Sequence, residues 1–326
     1  MTVVVTGGAG YIGAHVVRLL AARGERVVVV DDLSSGRAER VGDARLEVMD
    51  LAADVAVDRL AALLVEVGAH AVVHLAARKR VDESLTRPTW YYRQNVGGTA
   101  NVLEAMHQAE VPALVFSSSA AVYGAAGGGL VTEDSPTSPM NPYGETKLAG
   151  EWLVRDAARA WGMRCLSLRY FNVAGAGWDD LHDPAALNLV PLVLGRIRAG
   201  LPPLVFGADH PTTDGTCIRD YVHVLDLAEA HVAALDHVAP PDGASGDHAE
   251  VLNVGTGVGS SVLEVIGAFA SAIGSPVVPE VLGRRAGDPP QVVASVDRAA
   301  DVLGWRAARD LADIVQSTVA AELAAR

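Results

Sequence analysis

The sequence predicts an α/β fold, in which helices cover both faces of a parallel β-sheet. Short apolar runs rich in valine recur along the chain, and segments with the 3.6-residue period of amphipathic helices separate them. Apolar strands without alternation are typical of a parallel sheet that is buried on both faces. The apolar runs cover residues 2–5, 27–30, 46–48, 71–75, 113–116, 165–170 and 251–255, and the helical segments begin near residues 12, 55, 90, 143 and 226.

A glycine-rich turn follows the first of these strands. Gly7, Gly10 and Gly13 come directly after it, an amphipathic helix follows, and the second strand ends in Asp31. Glycine permits a tight turn and a close approach of the backbone to a pyrophosphate, which then rests on the helix N-terminus. The order of strand, glycine turn, helix, strand and acid is that of a dinucleotide-binding unit. The sequence therefore predicts a Rossmann-type sheet.

Asp31 indicates which dinucleotide the turn would hold. A carboxylate at the end of the second strand accepts hydrogen bonds from ribose hydroxyls and repels a 2′-phosphate. Arg37 and Arg40 in the following loop favour the opposite choice, because an arginine can bind that phosphate, but loop arginines are more commonly solvated. The sequence predicts NAD rather than NADP.

Tyr143 and Lys147 form a candidate catalytic pair. They are four residues apart in a segment that follows Pro142, so a helix there places both on one face. A neighbouring ammonium lowers the pKa of a phenol, whose reference value is about 10, and makes it a usable base near neutral pH. Ser119, at the end of the strand that begins at residue 113, is positioned to hold the substrate oxygen whose proton Tyr143 takes. On its own, the same spacing is typical of an ordinary pair on a helix surface.

Composition excludes several classes of function. The formal net charge of -13 argues against nucleic acid and anionic membranes as partners, because both need a basic surface. Two cysteines and ten histidines show neither disulfide nor metal-ligand spacing, so no disulfide framework and no metal are expected. No run of roughly 20 apolar residues occurs, and a strand from Thr2 leaves no room for a signal peptide. A cytoplasmic location is therefore expected.

The rhythm of strands and helices weakens after residue 171, where prolines separate short elements. We expect residues 1–171 to form the nucleotide-binding domain, which segments of about 220–238 and 250–258 rejoin. Residues 172–326 are expected to form mainly a smaller C-terminal substrate-binding domain. The glycine-rich stretch 125–129 and the polar stretch 239–250 are expected to be loops.

Three motifs in this order resemble those of the extended short-chain dehydrogenase/reductases. They are TGGAGYIG at 6–13, SSSAAVYG at 117–124 and YGETK at 143–147. Within that group the chain is similar to the UDP-glucose/UDP-galactose 4-epimerase family. The likeness covers nearly the whole chain, and it continues through HLAA at 74–77, YFN at 170–172, RDYVHV at 219–224 and RRAGD at 284–288.

The resemblance implies an NAD-dependent enzyme of galactose metabolism that interconverts UDP-glucose and UDP-galactose through a 4-keto sugar. It implies that Tyr143 removes the O4 proton, that Lys147 also binds the nicotinamide ribose, and that Ser119 hydrogen-bonds O4. It also implies a homodimer formed by the helices that begin near residues 90 and 143. The implied cofactor contacts are Gly7, Gly10, Tyr11, Ile12, Gly13, Asp31, Asp50, Leu51, Leu75, Ala76, Ala77, Lys79, Asn95, Tyr143, Lys147 and Tyr170. The implied substrate contacts are Lys79, Ser119, Tyr143, Asn172, Asn188, Phe206, Arg219, Arg285, Asp288 and Val292.

Several of these residues have a structural alternative. Lys79 can be an exposed loop cation, and Asn95 can be a buried residue that bonds within the protein. Phe206 can belong to a core, and each arginine can be a salt-bridge partner. The loop at 177–184 is shorter than in many epimerases, which makes Asn188 a less secure match.

Other activities are also open to a chain with these motifs. Valine at position 292, where some epimerases have tyrosine, leaves room for an N-acetyl group, so UDP-N-acetylglucosamine is an alternative substrate. A nucleotide-sugar dehydratase is disfavoured, because Ala120 and Ala121 stand where related dehydratases carry an acid. A non-catalytic NAD-binding regulator is disfavoured too, since such a protein can dispense with the serine, tyrosine and lysine set.

Overall fold

The computed structural model describes residues 1–125, 129–183, 185, 188–239, 249–285 and 287–324. Parts of the two expected loops, residues 126–128 and 240–248, lie outside the described residues. The chain divides into two compact units. Unit 1 comprises Met1–Gly124, Thr137–Arg169 and Ala228–Leu252, and unit 2 comprises Ala125–Pro136, Tyr170–Leu227 and Asn253–Arg326.

Strands and helices alternate through the first half of the chain and are shorter in the second half. The strands are β1 (Thr2–Thr6), β2 (Arg26–Asp31), β3 (Arg45–Val48), β4 (Ala71–His74), β5 (Ala113–Ser119), β6 (Leu130–Val131), β7 (Arg164–Tyr170), β8 (Asn172–Ala174), β9 (Leu204–Phe206), β10 (Ile218–His223), β11 (Ala249–Val254), β12 (Gly259–Ser261), β13 (Glu280–Leu282) and β14 (Gln291–Ala294). The α-helices are α1 (Tyr11–Ala22), α2 (Ala56–Val67), α3 (Val81–Thr86), α4 (Pro88–Tyr91), α5 (Gly98–Gln108), α6 (Pro142–Trp161), α7 (Leu189–Arg198), α8 (Val224–Val238), α9 (Val262–Ile273), α10 (Asp297–Leu303) and α11 (Leu311–Ala324).

Unit 1 contains a seven-stranded sheet in the order β11-β7-β5-β4-β1-β2-β3. The pairs from β3 to β5 run parallel, with Val30, Thr6 and His74 in one row across β2, β1 and β4. This sheet confirms the predicted α/β fold of Rossmann type. Because parallel strands bring their carboxyl ends to one edge, the residues that follow β1, β2, β4 and β5 lie along that edge.

Helices of unit 1 cover the apolar strands. Every residue of β1 is buried, and Val4, Val28, Val72 and Leu114 belong to one core cluster with apolar side chains of α2, α5 and α6. Burial of each such side chain contributes roughly 1.5–3 kcal/mol to folding. This core supports the strand ends that carry the candidate site.

The segment predicted as one helix over residues 90–108 contains an irregularity. α4 ends at Tyr91, a π-helical stretch covers Tyr92–Gly97, and α5 begins at Gly98. A π-bulge inserts an extra residue into a helix and is frequent at functional sites. This one contains the buried Asn95. The periodicity of the sequence predicted the helix and missed the irregularity.

Unit 2 is built on a second sheet in the order β12-β10-β14-β6, and β8 pairs with β10. β10 runs parallel to β14 and β8 and antiparallel to β12, while β9 and β13 form a separate parallel pair. Tyr221, Phe269 and Ile314 lie in the core cluster of this unit. α9 begins with a capping box between Ser261 and Glu264, which satisfies two N–H groups at its start.

The division of the chain differs from the expected domain boundaries. Tyr170 and Phe171 already belong to unit 2, and the expected returning segment 250–258 belongs to unit 1 only as far as Leu252. Two further differences involve the pairing of strands. We expected residues 125–136 in the nucleotide-binding domain, but β6 pairs with β14 and belongs to unit 2. β10 falls in the expected returning segment 220–238, but it pairs with β8, β12 and β14, and only the part of α8 from Ala228 onward belongs to unit 1. Both differences have one cause, since the sheet that a short strand joins depends on partners distant in sequence.

Cys165 and Cys217 are buried free thiols. In the part of the chain that the structure describes, no three His, Cys, Asp or Glu side chains are grouped so that they could hold a metal ion. Among the same residues, no helix combines the length and apolar character that crossing a bilayer requires.

Candidate active site

The glycine turn between β1 and α1 has the geometry of a phosphate cradle. Gly7 has a φ of +72°, and a Cβ there would lie 2.6 Å from the backbone nitrogen of Ala76. A Cβ on Gly13 would collide with the carbonyl oxygen of Gly7. The N-cap residue of α1 is Gly10, so the helix has no side-chain cap, and its first turn contains no acidic residue. These uncapped first-turn N–H groups fit the pyrophosphate of a dinucleotide.

Asp31 lies at the end of β2 beside this turn and is 7% exposed. Its Oδ2 accepts a hydrogen bond from the backbone N–H of Ala9 (3.1 Å), and its Oδ1 accepts one from that of Leu33 (2.8 Å). Burial raises the pKa of Asp31, and these two bonds act against the rise. A carboxylate has further lone pairs beyond these two bonds, so the position fits the ribose hydroxyls of a dinucleotide.

The two loop arginines that follow Asp31 differ in exposure. Arg37 is exposed, as expected of a loop arginine, whereas Arg40 is 5% exposed. Arg40 lines a surface cavity of about 610 Å³ together with Val17 and Ala21 of α1. The expectation that both are solvated is therefore wrong for Arg40, because that residue is buried.

The other predicted cofactor residues of unit 1 lie mainly at the ends of β3 and β4. Asp50 is exposed and Leu51 is buried. The loop that follows β4 contains Leu75, Ala76, Ala77 and Lys79, and it begins with a bond from the N–H of Leu75 to the carbonyl of Thr6 (3.0 Å). Lys79 is exposed. That these residues contact the cofactor stays a prediction.

Asn95 uses its amide within the protein. Its Oδ1 accepts from the backbone N–H of Arg78 (2.7 Å), and its Nδ2 donates to the carbonyl of Arg78 (3.0 Å) and to Oγ1 of Thr146 (2.9 Å). These bonds agree with the alternative role, in which Asn95 is a buried residue that bonds within the protein. Asn95 thereby ties the loop after β4 to α6.

Ser119, Tyr143 and Lys147 meet at the carboxyl edge of the sheet. Asn141 caps α6 through its Oδ1, which accepts from the N–H of Gly144 (2.9 Å), and Pro142 occupies the first helical turn. Tyr143 of this helix lies close enough to Ser119 for the serine side chain to act on the pKa of the phenol. The predicted helix thus brings Tyr143 to the serine at the end of β5.

Lys147 is 4% exposed and points toward the same strand end. Its Nζ donates to the carbonyl oxygen of Ser117 (2.7 Å) and lies 5.4 Å from the centre of the Phe116 ring. Burial lowers the pKa of Lys147 to about 7, and the charge of Glu151 acts against this shift.

The pKa shift of Tyr143 is opposite in direction to the one expected from the sequence. Burial raises the pKa of Tyr143, and the side chain of Ser119 acts in the lowering direction. Desolvation of the phenolate is the largest effect on this pKa, and burial also disfavours the ammonium of Lys147. That Lys147 lowers the pKa of Tyr143 stays a prediction.

Sequence reasoning missed a buried polar network behind the candidate catalytic residues. Arg169 donates from Nε and Nη2 to the two carboxylate oxygens of Glu151 (2.8 and 2.6 Å), and both side chains are 6% exposed. Ser118 donates to the same carboxylate, and Arg169 donates to the hydroxyl of Tyr123 (2.8 Å). The network joins α6 to β5 and β7. A charged residue inside the apolar run 165–170 was the available signal.

Unit 2 holds the predicted substrate residues in two groups. Arg219 of β10 pairs in register with Val292 of β14, and its Nη2 lies 3.4 Å from Oδ1 of Asp288. The guanidinium of Arg285 stacks on the ring of Phe206 at 3.7 Å. Phe206 is therefore not simply a core residue.

The remaining predicted residues of unit 2 lie near β8. Tyr170 is 7% exposed, and Asn172 of β8 pairs with Tyr221 of β10. Asn188 is the N-cap residue of α7, but its side chain makes no capping hydrogen bond. Its Nδ2 instead donates a long hydrogen bond to the carbonyl oxygen of Val173 (3.4 Å). In the shortened loop, Asp179–Leu181 form a 3₁₀ turn, and Pro184 lies outside the described residues.

Comparison with known proteins agrees with this geometry. A model of the NAD dependent epimerase/dehydratase family matches residues 3–255. The chain belongs to this family. The membership predicted from the motifs is thereby confirmed.

Individual members of the epimerase/dehydratase family are similar over almost the full length. The chain is 43% identical to the UDP-glucose 4-epimerase of Azospirillum brasilense, over 98% of this chain and 91% of that protein. The crystal structure of the UDP-glucose 4-epimerase from Stenotrophomonas maltophila, with bound NAD and formylated UDP-arabinopyranose, has a TM-score of 0.92 and 40% identity, covering 100% of this chain and 98% of that one. The UDP-Glc/GlcNAc 4-epimerase from Campylobacter jejuni has a TM-score of 0.85 and 35% identity, covering 99% of both chains.

Proposed function

We propose that this chain is an NAD-dependent UDP-glucose 4-epimerase, which interconverts UDP-glucose and UDP-galactose through a 4-keto sugar. The observation that carries the proposal is that Ser119 and Tyr143 lie close together, next to buried Lys147, at the sheet edge that also holds the glycine turn. The names of the similar proteins agree with it.

Tyr143 takes the proton from O4 of the sugar, and Ser119 holds that oxygen through its hydroxyl. Bound NAD would supply the hydride acceptor for C4 and, in its oxidised form, a positive charge that favours the phenolate of Tyr143. Lys147, held by Ser117, provides a donor for the nicotinamide ribose. After the keto sugar turns, Tyr143 returns the proton to O4.

The groups that would hold the nucleotide are in unit 2. Arg219 and Arg285 carry guanidinium groups suited to phosphate oxygens. Phe206 offers a ring for the uracil face, and Asp288 accepts hydrogen bonds from a ribose hydroxyl. Contacts of Asn172, Asn188 and Val292 with the sugar are proposed from the family resemblance.

We also propose a cytoplasmic enzyme of galactose metabolism that forms a homodimer. Two free thiols are typical of a reducing compartment. α6 leaves Trp152 51% exposed, which supports a partner subunit on this helix.

The first test is whether the purified protein works without added cofactor. We expect it to release NAD on denaturation, identified by mass, and to interconvert UDP-glucose and UDP-galactose with no NAD added. The reason is that hydride removed in the first half of the cycle returns in the second. Release of NADP, or consumption of NAD in proportion to the sugar converted, would contradict the proposal.

A second substrate, UDP-N-acetylglucosamine, is favoured by the side chain at position 292. Val292 lies in register beside Arg219 of the proposed nucleotide site, and valine is a small side chain. We expect the wild type to epimerise both UDP-glucose and UDP-N-acetylglucosamine. Val292→Tyr should lower kcat/KM for the N-acetyl sugar at least about tenfold more than for UDP-glucose, since steric exclusion affects only the larger C2 group.

Comparing kcat/KM for both sugars in both proteins checks this expectation, and Val292→Ala serves as a control that adds no bulk. An equal loss on both sugars in Val292→Tyr, or a wild type inactive on the N-acetyl sugar, would contradict a gate at this position.

A further inference from the structure

An ion pair joins the two loops on either side of the glycine turn. β1 lies between β4 and β2, with His74, Thr6 and Val30 in one row. Arg78 follows β4 and Asp32 follows β2, and their side chains form an ion pair with exposures of only 20% and 26%. Because neighbouring strands are about 4.8 Å apart, the connection spans two strand spacings, or about 10 Å. It therefore crosses the end of β1, where the glycine turn begins.

Arg78 is held in this position along its whole length. Its backbone N–H and carbonyl both bond to the side chain of Asn95 (2.7 and 3.0 Å). Its Nε and Nη2 donate to Oε1 of Gln94 (3.1 and 2.8 Å), and its Nη1 donates to Ser34. The guanidinium also lies 5.1 Å from the centre of the Trp90 ring. These contacts fix the orientation of the Arg78 side chain, which extends toward the loop after β2.

The carboxylate of Asp32 is held in place by Ser34 and faces Arg78 with one oxygen. Its Oδ1 accepts from the backbone N–H of Ser34 (3.0 Å) and from the hydroxyl of the same residue (2.5 Å), which leaves Oδ2 for Arg78. Burial acts against ionisation, but the bonds from Ser34 and the charge of Arg78 hold the pKa of Asp32 below its usual value. The pair is therefore charged at neutral pH.

We propose that Arg78 and Asp32 form a strap across the dinucleotide site, which must open before the cofactor can leave. The proposal rests on the NAD-dependent function proposed above. A dinucleotide whose pyrophosphate rests on the glycine turn, with one ribose at Asp31, extends along the same sheet edge. The strap runs along that edge from the loop after β4 to the loop after β2. It slows cofactor release and so suits a cycle that reuses one NAD.

A different role for Arg78 makes a different prediction. If its guanidinium bound the pyrophosphate directly, Asp32 would compete with the phosphate, and removing the charge of Asp32 would slow the release of NAD. If the two residues form a strap, removal of either partner opens the same connection and speeds release.

The test measures the rate at which bound NAD exchanges. Each protein is loaded with isotopically labelled NAD, diluted into excess unlabelled NAD, and sampled for protein-bound label by mass. Arg78→Met and Asp32→Asn are each expected to raise the release rate about tenfold, a ratio equivalent to about 1.4 kcal/mol. The double variant should release NAD no faster than the single ones, because all three break one connection.

Arg87→Met is the matched control. Arg87 stacks on the same Trp90 ring at 3.8 Å and pairs with Glu83 of α3, so its loss removes a stacked arginine and leaves the connection between Arg78 and Asp32 in place. Its release rate should equal that of the wild type.

Unchanged release in both single variants, or slower release in Asp32→Asn, would overturn the strap. A wild type that holds no NAD would overturn the strap and the proposed function together. A wild type that holds NAD, with variants that release it at the wild-type rate, would overturn the strap alone.

Discussion

Tyr143→Phe is expected to lower kcat by about 100- to 10,000-fold, the range that a positioned acid or base contributes. The change removes only the hydroxyl near Ser119 and keeps the ring. Because the glycine turn and Asp31 are untouched, the variant should still carry bound NAD. Turnover is measured by direct analysis of the product sugars, and NAD content by mass after denaturation.

Tyr92→Phe is the control for this substitution. Tyr92 also belongs to unit 1 and is 40% exposed, and its hydroxyl donates to Glu145 (2.8 Å). It should keep wild-type turnover, because water can take over the hydrogen bond that an exposed hydroxyl makes. A Tyr143→Phe protein with more than about a tenth of wild-type activity would show that another group moves the O4 proton.

Arg169→Met is expected to lower the free energy of unfolding by about 3–5 kcal/mol, because it leaves the buried carboxylate of Glu151 without its charged partner. The two guanidinium bonds and the near-complete burial of both side chains carry this expectation. The free energy is measured by urea denaturation, followed by fluorescence and circular dichroism to check that the transitions coincide.

Two further variants separate the cost of an unpaired charge from the value of the pair. The double variant Glu151→Leu/Arg169→Met should recover much of the loss, since no charge then remains buried at this place. Arg45→Met breaks the exposed contacts with Glu47 and Glu66, where solvent screens the charges, and should change stability little. If Arg169→Met were no more destabilising than Arg45→Met, the network would not stabilise unit 1.

Local features of the fold were predictable because they depend on neighbours in the chain. The apolar runs predicted β1, β2 and β4 to within one residue at each end, since a strand buried on both faces needs apolar side chains at successive positions. The spacing of Tyr143 and Lys147 predicted their common helix, because residues four apart share a face.

Pairing between distant segments could not be predicted in the same way. The two-residue strand β6 joins the sheet of unit 2 because β14 lies beside it, more than 150 residues later in the chain. Arg78 and Asp32 are 46 residues apart, and Glu151 and Arg169 are 18 apart. No period or spacing rule relates such residues, so only the folded chain shows that they meet.

The sequence by itself determined the α/β fold, the glycine turn with its acid, and the common helix of the two residues predicted to act on the proton. These follow from periodicity, from the small size of glycine, and from the fact that residues four apart lie on one face of a helix. The tertiary structure decided how burial acts on those residues. It raises the pKa of Tyr143 and lowers that of Lys147 because packed neighbours replace water around both groups, and how many neighbours pack there depends on segments that are remote in the sequence.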